Sequence, residues 1–235
     1  VSLSVIIPIA PSEDGWKSLL VDLASLDESD ECILVSPENL KQSVDEFLQL
    51  YPMKARVHTV ITKKGRAIQQ NHGASIAHKP WLWFLHCDSH ISEKAISLLK
   101  TELKKNKDQL YFFDLRFSPS EIRLMWINEI GVKFRSRFLQ IPFGDQGFCL
   151  KKETFFRLSR FNEKADFGED HLLVWSAHQE GVKLKAIDCS IFTSPRKYQR
   201  KGWSKVTFDH LLKTFSQASP EFIKFLKKKI GRERA

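Results

Sequence analysis

The first pattern in this chain able to do chemistry is a carboxylate set where a buried apolar run stops. WLWFLHCDSH changes abruptly from apolar to polar at His86, Asp88, Ser89 and His90. Residues two apart on a strand share a face, so the Asp88 carboxylate and the His86 imidazole point the same way. Such a pair can hold a divalent cation, because oxygen ligands suit Mg²⁺ and Mn²⁺ and imidazole is accepted by Mn²⁺. The plainer use of the same residues is an Asp or Ser that caps the following helix, with the histidines hydrogen-bonded at the surface.

Three more clusters stand at similar boundaries. KKGRAIQQNHGA sets Gly65 before a helix whose first turn carries Arg66. Free backbone N–H groups, the helix dipole and a guanidinium fork together suit an anion, although Lys63, Lys64 and Arg66 serve equally as a solvated face. GDQG at 144–147 contributes Asp145 and Gln146, and GED at 168–170 opens a helix with Glu169 and Asp170. Acidic residues in a first turn satisfy the helix dipole whatever else they do. At the mouth of a crevice the same carboxylate can be a general base, provided it reaches a substrate hydroxyl. GxxxxGK[ST] is absent, which argues against a P-loop hydrolase. Cys32, Cys87, Cys149 and Cys189 form no CxxC pair and are expected to be buried, reduced thiols without chemistry.

The elements that must position these clusters follow from the periodicity. LSVIIPI, ECILVS, ARVHTVI and WLWF are short, β-branched or aromatic apolar runs, each followed by a helical pattern. That alternation predicts an α/β fold with a mainly parallel central sheet flanked by helices, and ligands bound where the strands end. After a fifth strand, LYFFDLRF, the regularity fades. Residues 118–138 read as one long amphipathic helix, FGDQGFCLKK as a turn and strand, GEDHLLVWSAHQEG as a helix, and VKLKAIDCSIFT as a late pair of strands.

With 235 residues, 42% hydrophobic and 28% charged, the composition is that of a soluble globular domain and excludes collagen-like, low-complexity and wholly disordered chains. No apolar run reaches the roughly 18 to 20 residues that cross a bilayer, and VSLSVIIPIA has neither a basic n-region nor an adequate h-region. A cytoplasmic protein is expected. The net charge of +9 is carried entirely by residues 195–235, where twelve Lys/Arg face three acidic residues. Phe208, Leu211, Leu212 and Phe215, then Phe222, Phe225, Leu226 and Ile230, recur there at helical intervals and predict amphipathic helices. Such a tail can pack on the body with its lysines solvated, or lie on an anionic membrane as a peripheral contact. No nucleic-acid-binding motif accompanies it, so nucleic acid is the partner least supported.

In order along the chain, SVIIPI, GRAIQQNHGA, WFLHCDS, GDQGFCLKKETFFRLSRF, GEDHLLVWSAHQEGVKL and TSPRKYQRKGW resemble the bacterial family 2 glycosyltransferases over about residues 3–215. The likeness is to a small soluble subgroup with FLHAD-like and GDQG segments. It implies the GT-A fold in a single domain over 1–235: a Rossmann-like nucleotide-sugar-binding half (1–117), an acceptor-binding half (118–194) and the basic helical tail (195–235). It implies an inverting, hexosyltransferase-like transfer from a nucleoside-diphosphate sugar to an acceptor hydroxyl, with Mn²⁺ or Mg²⁺.

The family's DxD metal motif falls on His86-Cys87-Asp88, which leaves Asp88 as the metal and diphosphate contact and His86 as the substitute ligand. Pro8, Arg66, Gln70 and Asn71 match the nucleotide side. The acidic residue that often ends strand two is Ser36, with Glu38 as the nearby replacement. Asp145 and Gln146 match a segment near acceptor and leaving group, and the catalytic base falls on Asp170 with Glu169 beside it. QRKGW at 199–203 has Gly202 where the QxxRW of processive members has Arg, which implies a non-processive enzyme with Arg196, Arg200 and Trp203 closing over the diphosphate. The missing first carboxylate leaves a second reading open, a non-catalytic nucleotide-sugar-binding module that docks to a membrane or partner through its tail.

Overall fold

In chain order the computed structural model runs β1 (Leu3–Pro8), α1 (Trp16–Asp22), β2 (Glu31–Ser36), α2 (Lys41–Leu50), β3 (Arg56–Ile61), α3 (Arg66–Ile76), β4 (Trp81–Phe84), α4 (Glu93–Leu103) and β5 (Gln109–Phe117). It continues with α5 (Met125–Arg137), a 3-10 turn (Gly144–Gln146), β6 (Cys149–Lys151), α6 (Lys152–Arg157), α7 (Glu169–Glu180), β7 (Lys183–Thr193), α8 (Arg196–Lys201) and α9 (Trp203–Glu233). It describes residues 1–118, 122 and 124–233, without the side chains at 197, 200, 201, 210, 211, 213, 215 and 228–233.

The seven strands form one sheet in the order β3-β2-β1-β4-β6-β5-β7. All neighbours are parallel except β6, which runs antiparallel to both β4 and β5. β1, β2 and β4 are buried at every residue, as strands covered by helices on both faces must be. Alternate residues of β1 serve opposite sides: Val5 and Ile7 pack with Trp16, Leu19 and Trp83, while Ile6 packs with Val35, Phe84 and Phe148. From β1 the chain steps outward to β3 and returns to β4 on the other flank of β1. The strand order therefore reverses between β1 and β4, where an open α/β sheet leaves a crevice at its carboxyl edge. Gln69 on α3 pins that edge, its side-chain amide donating to the carbonyls of Ile9 (2.8 Å) and Val35 (2.6 Å).

Three elements depart from the sequence expectation. The late strand pair is one strand, β7: Phe113 pairs with Ile187 and Asp114 with Ser190, so Asp188 and Cys189 bulge without a turn. Arg137 stabilises the bulge by donating to Asp188 at 2.9 Å as well as to Asp114. The long helix expected over 118–138 is helical from Met125; residues 119–121 and 123 of that span lie outside the described residues. The two tail helices are one, α9, which carries Pro220 in its interior. Proline normally breaks a helix there. Contacts with α7 hold both flanks in line: Gln217 with His171 before it, Glu221 with Gln179 and Phe222 with Trp175 after it. The helix α6 had no counterpart in the sequence reading.

Cys32, Cys87, Cys149 and Cys189 are free thiols, the first three buried. Burial pushes those three thiols well above their ordinary pKa, which keeps them protonated. Among the described residues no helix is long and apolar enough to cross a membrane.

Candidate active site

The strand ends β4, β5 and β7, the turn after α5 and the start of α7 surround a cavity of about 360 Å³. Arg66, His86, Asp88, Arg135, Asp145 and Asp170 line it, with Leu115, Phe117, Val132 and Phe143 as apolar wall. Its far rim is made by α8 and α9, through Tyr198, Thr214 and Gln217. Gln217 is anchored there, donating to the Phe167 carbonyl at 2.9 Å and meeting His171 Nδ1 at 2.9 Å.

Asp170 enters the cavity because Gly168 turns the chain. Gly168 sits at φ +64°, the left-handed conformation, and starts α7 so that Glu169 and Asp170 occupy its first turn. A Cβ at this glycine would also lie 2.2 Å from Gln217 Oε1. Gly168→Ala should lower stability by about 1–2 kcal/mol through the backbone alone; an unchanged urea midpoint would refute this.

Glu169 and Asp170 are buried, unusual for carboxylates without partners. Their partner is Arg66, at the start of α3. Its Nε donates to Glu169 Oε1, its Nη2 lies 3.8 Å from Asp170 Oδ1, and its Nη1 lies 3.5 Å from His86 Nε2. One guanidinium thus joins α3, the end of β4 and α7. Asp170 Oδ2 also accepts the Gly144 N–H at 2.5 Å, and Oδ1 the His171 N–H at 2.9 Å. A Cβ on Gly144 would sit 2.9 Å from Asp170 Oδ2, which explains the glycine at that place in GDQG.

Burial works to raise the Asp170 carboxyl, but Arg66, the Gly144 N–H and His86 outweigh it and hold the pKa below the usual carboxylate range. Asp170 is therefore ionised at neutral pH. His86 is neutral, pushed down to about 3 by burial and then by the Arg66 charge.

Asp145 differs from Asp170. Its Oδ1 is buried and makes no hydrogen bond. Burial, reinforced by the Asp170 and Asp88 charges, pushes its pKa up to about 6 against the pull of Arg135 and Arg66. A carboxyl with a raised folded-state pKa contributes stability while protonated, and that contribution is lost as pH rises from about 4 through about 6. Asp145→Asn should therefore raise stability at pH 7.5 by about 1–3 kcal/mol, at about 1.4 kcal/mol per unit. The gain should vanish by about pH 4; a gap in thermal midpoint that stays constant between these pH values would contradict the assignment.

Arg135 is the site residue that sequence reading missed. Its guanidinium lies 3.4 Å from the centre of the Phe143 ring, and its buried Nε makes no hydrogen bond. The available signal was a charge on the inner face of α5, in helical register with the buried Met125 and with Val132.

Other residues singled out from the sequence stand elsewhere. Pro8 closes β1 and Gln70 is buried in α3, and neither lines the cavity. Asn71 exchanges hydrogen bonds with the backbone of Phe161 (2.9 and 3.1 Å) and donates to Glu163 (2.8 Å), so it fastens the 161–163 loop away from the cavity. Glu38 accepts the Ser12 N–H, and the Ser36 hydroxyl accepts the N–H of Glu38. Arg196 is exposed at the start of α8, donates to Ser194 Oγ at 3.1 Å, and its charge acts on Asp88. The Arg200 side chain lies outside the described residues.

Among the described residues no three His, Cys, Asp or Glu side chains gather in a way that would hold a metal by themselves. The donors present fit a cation shared with phosphate oxygens: one carboxylate, Asp88, whose pKa burial raises, and a neutral imidazole, His86. Each proton lost by Asp88 in that setting leaves a poorly solvated charge that a cation would neutralise.

The family profile described as Glycosyl transferase family 2 matches residues 4–162. The chain belongs to glycosyl transferase family 2. No curated protein matches this family 2 member. Among solved structures it is similar to the mannosyltransferase PcManGT from Pyrobaculum calidifontis in complex with GDP-Man and Mn²⁺: TM-score 0.71 and 16% identity over 97% of this chain and 68% of that one. It is also similar to S. aureus TarS 1-349 in complex with UDP-GlcNAc, with TM-score 0.63 and 14% identity over 83% of this chain and 58% of that one. A third is GalNAc-T7 with UDP, GalNAc and Mn²⁺, at TM-score 0.60 and 14% identity over 82% and 43% of the two chains. The family 2 chain spans 37% of the longer TarS structure. At these identities the likeness is one of fold, and the fold is of the GT-A type.

Proposed function

We propose that this chain is a glycosyltransferase that moves a sugar from a nucleoside-diphosphate sugar to an acceptor hydroxyl, with inversion and with Mn²⁺ or Mg²⁺. The observation that carries the proposal is the meeting of Arg66, Asp88, Asp145 and Asp170, from four separate segments, around one cavity at the sheet's carboxyl edge. Family membership, and the GDP-Man with Mn²⁺ and UDP-GlcNAc of similarly folded proteins, support a nucleotide-sugar donor.

In such a transfer the acceptor oxygen bonds to the anomeric carbon as the bond from that carbon to the phosphate oxygen breaks. Negative charge grows on the departing diphosphate, and fixed positive charge aimed there lowers the barrier. When bound, a divalent cation supplies part of that charge. Asp88 and His86 would hold it. Arg66 supplies charge from the protein itself, and Arg196, whose charge acts on Asp88 from outside the cavity lining, and Arg200 belong to the same proposal. Asp170, ionised and fixed by two backbone N–H groups, takes the acceptor's proton from the opposite face. Glu169 orients Arg66.

One observation favours a second assignment of the proton. Asp145 has an unbonded buried oxygen and a pKa of about 6, closer to working pH than that of Asp170. With Asp170 as base the rate is level from about pH 5 to 8, whereas Asp145 gives a fall below about pH 6. The acceptor is a hydroxyl compound of unknown identity, and the basic tail supports peripheral contact with an anionic membrane of a protein lodged in the cytoplasm.

A thermal-shift screen of UDP, GDP and their sugars, with and without Mn²⁺, tests the donor class. Stabilisation by one nucleotide series, strengthened by Mn²⁺ and accompanied by release of its diphosphate, supports the proposal. Stabilisation without any release would favour the non-catalytic module.

A further inference from the structure

The sequence reading put membrane contact on the tail alone. We propose that α5 is a second and principal docking element, whose outward face seats the protein on an anionic lipid bilayer beside α9. This inference rests on the surface and not on the chemistry in the cavity.

α5 is amphipathic in a reversed sense. Its inner face, beside the apolar contacts of Met125 and Val132, holds charged groups where it meets the cavity and the sheet: Arg135 lines the cavity, Arg137 pairs with Asp114, and Glu129 accepts the Phe117 N–H. Its outer face is apolar. Trp126 (57% exposed), Ile130 (59%), Phe134 (55%) and Phe138 (75%) follow one another at four-residue intervals, with Ile127 and Leu139 exposed beside them. Four large side chains in one row, left to solvent, are not needed to fold this helix, because its inner contacts already hold it.

α9 lies alongside. Asn128 of α5 donates to the Thr207 hydroxyl at 3.2 Å, and Met125 packs with Val206. Away from that contact α9 exposes Phe208, Leu212, Ile223 and Leu226, again at helical spacing. Two neighbouring helices therefore each leave an apolar row uncovered.

Charge decides between the occupants of such a surface. Residues 195–235 carry the whole +9 of the protein; on α5, Arg135 and Arg137 face inward, and Lys133, with its Nζ 3.6 Å from Asp114, adds a charge beside the outer row. Lys133 is exposed between Ile130 and Phe134. A second copy would bring the same positive charge against itself, whereas an anionic bilayer complements it. Aromatic and aliphatic residues flanked by lysines are the composition of helices that lie in the headgroup plane, and the attraction to anionic lipid fades within a screening length.

Sedimentation with phosphatidylcholine vesicles, one third phosphatidylglycerol or none, tests this. Wild type should sediment with the anionic vesicles, much less with the neutral ones, and be released by high salt. Ile130→Glu with Phe134→Glu should lower the bound fraction by at least about tenfold while leaving the thermal midpoint unchanged, since both side chains are half in solvent. If that double variant melts early, Trp126→Ser at the other end of the row should show the same loss of binding. Wild type that ignores anionic vesicles, or variants that bind as wild type does, would overturn the proposal. So would a lipid-free dimer that the double variant turns into a monomer, because the face would then belong to a second copy.

Discussion

Asp170→Asn should keep the donor and lose the transfer. The amide retains the size of the carboxylate and can still accept the Gly144 N–H while giving up that of His171, and Arg66 keeps its bond to Glu169, so the segments around the cavity remain joined. What disappears is a proton acceptor, which is typically worth about 10² to 10⁴ in rate. Calorimetry should show donor affinity within about threefold of wild type, a change small beside the rate loss, and single-turnover assays should show that loss in the chemical step. Turnover at the wild-type rate would remove Asp170 from the mechanism. If the variant retains turnover and the wild-type profile falls below about pH 6, with Asp145→Asn abolishing that turnover, the proton goes to Asp145.

Asp88→Ala should do the reverse, abolishing the cation's contribution to donor binding. Asp88 is the carboxylate nearest the end of β4 in the cavity, and with His86 neutral it is the anionic side chain proposed to hold a cation. Loss of one charged contact costs about 1.5–3 kcal/mol, roughly 10- to 100-fold in affinity. The measurement is a titration of UDP and GDP with and without Mn²⁺. In wild type Mn²⁺ should tighten binding of the preferred nucleotide, and in Asp88→Ala that enhancement should be gone. An enhancement that survives the substitution would place the cation elsewhere. Burial raises the Asp88 pKa, so the variant should be no less stable than wild type without ligand.

Much of this architecture was legible because burial leaves a mark in sequence. β1, β2 and β4 are covered on both faces, and their unbroken apolar runs gave them away. The polar residues that follow the strands had to lie at the carboxyl edge, which is why Asp88, after β4, and Arg66, after β3, could be placed in one crevice before any fold was seen. Asp145 and Asp170 were legible as acidic residues beside glycines, and the structure explains both glycines, Gly144 by close approach and Gly168 by its positive φ.

Elsewhere the linear pattern misled because the deciding contact was distant. Asn71 sits in the motif that pointed to the nucleotide, yet its amide is consumed by Phe161, 90 residues away. Gln69 was passed over and ties two strands together. Arg135 looked like one more charge on an amphipathic helix, and only the fold shows that this helix turns its charged side inward and its apolar side out. VKLKAIDCSIFT read as a pair of strands, but the break at Asp188 and Cys189 is a bulge within one strand, which Arg137 on another element stabilises. The tail's apolar spacing gave two helical groups with Pro220 between them, and α7 joins them into one helix by gripping α9 on both sides.

The most direct measurement is release of nucleoside diphosphate from a panel of UDP- and GDP-sugars by the wild-type chain, with Mn²⁺ and after its chelation, in the presence of mixed hydroxyl acceptors. Multiple turnovers with one nucleotide series, dependent on the cation and absent in Asp170→Asn, are expected if the cavity at the sheet's carboxyl edge is a sugar-transfer site. A folded chain that neither binds nor cleaves any donor in the panel would contradict it.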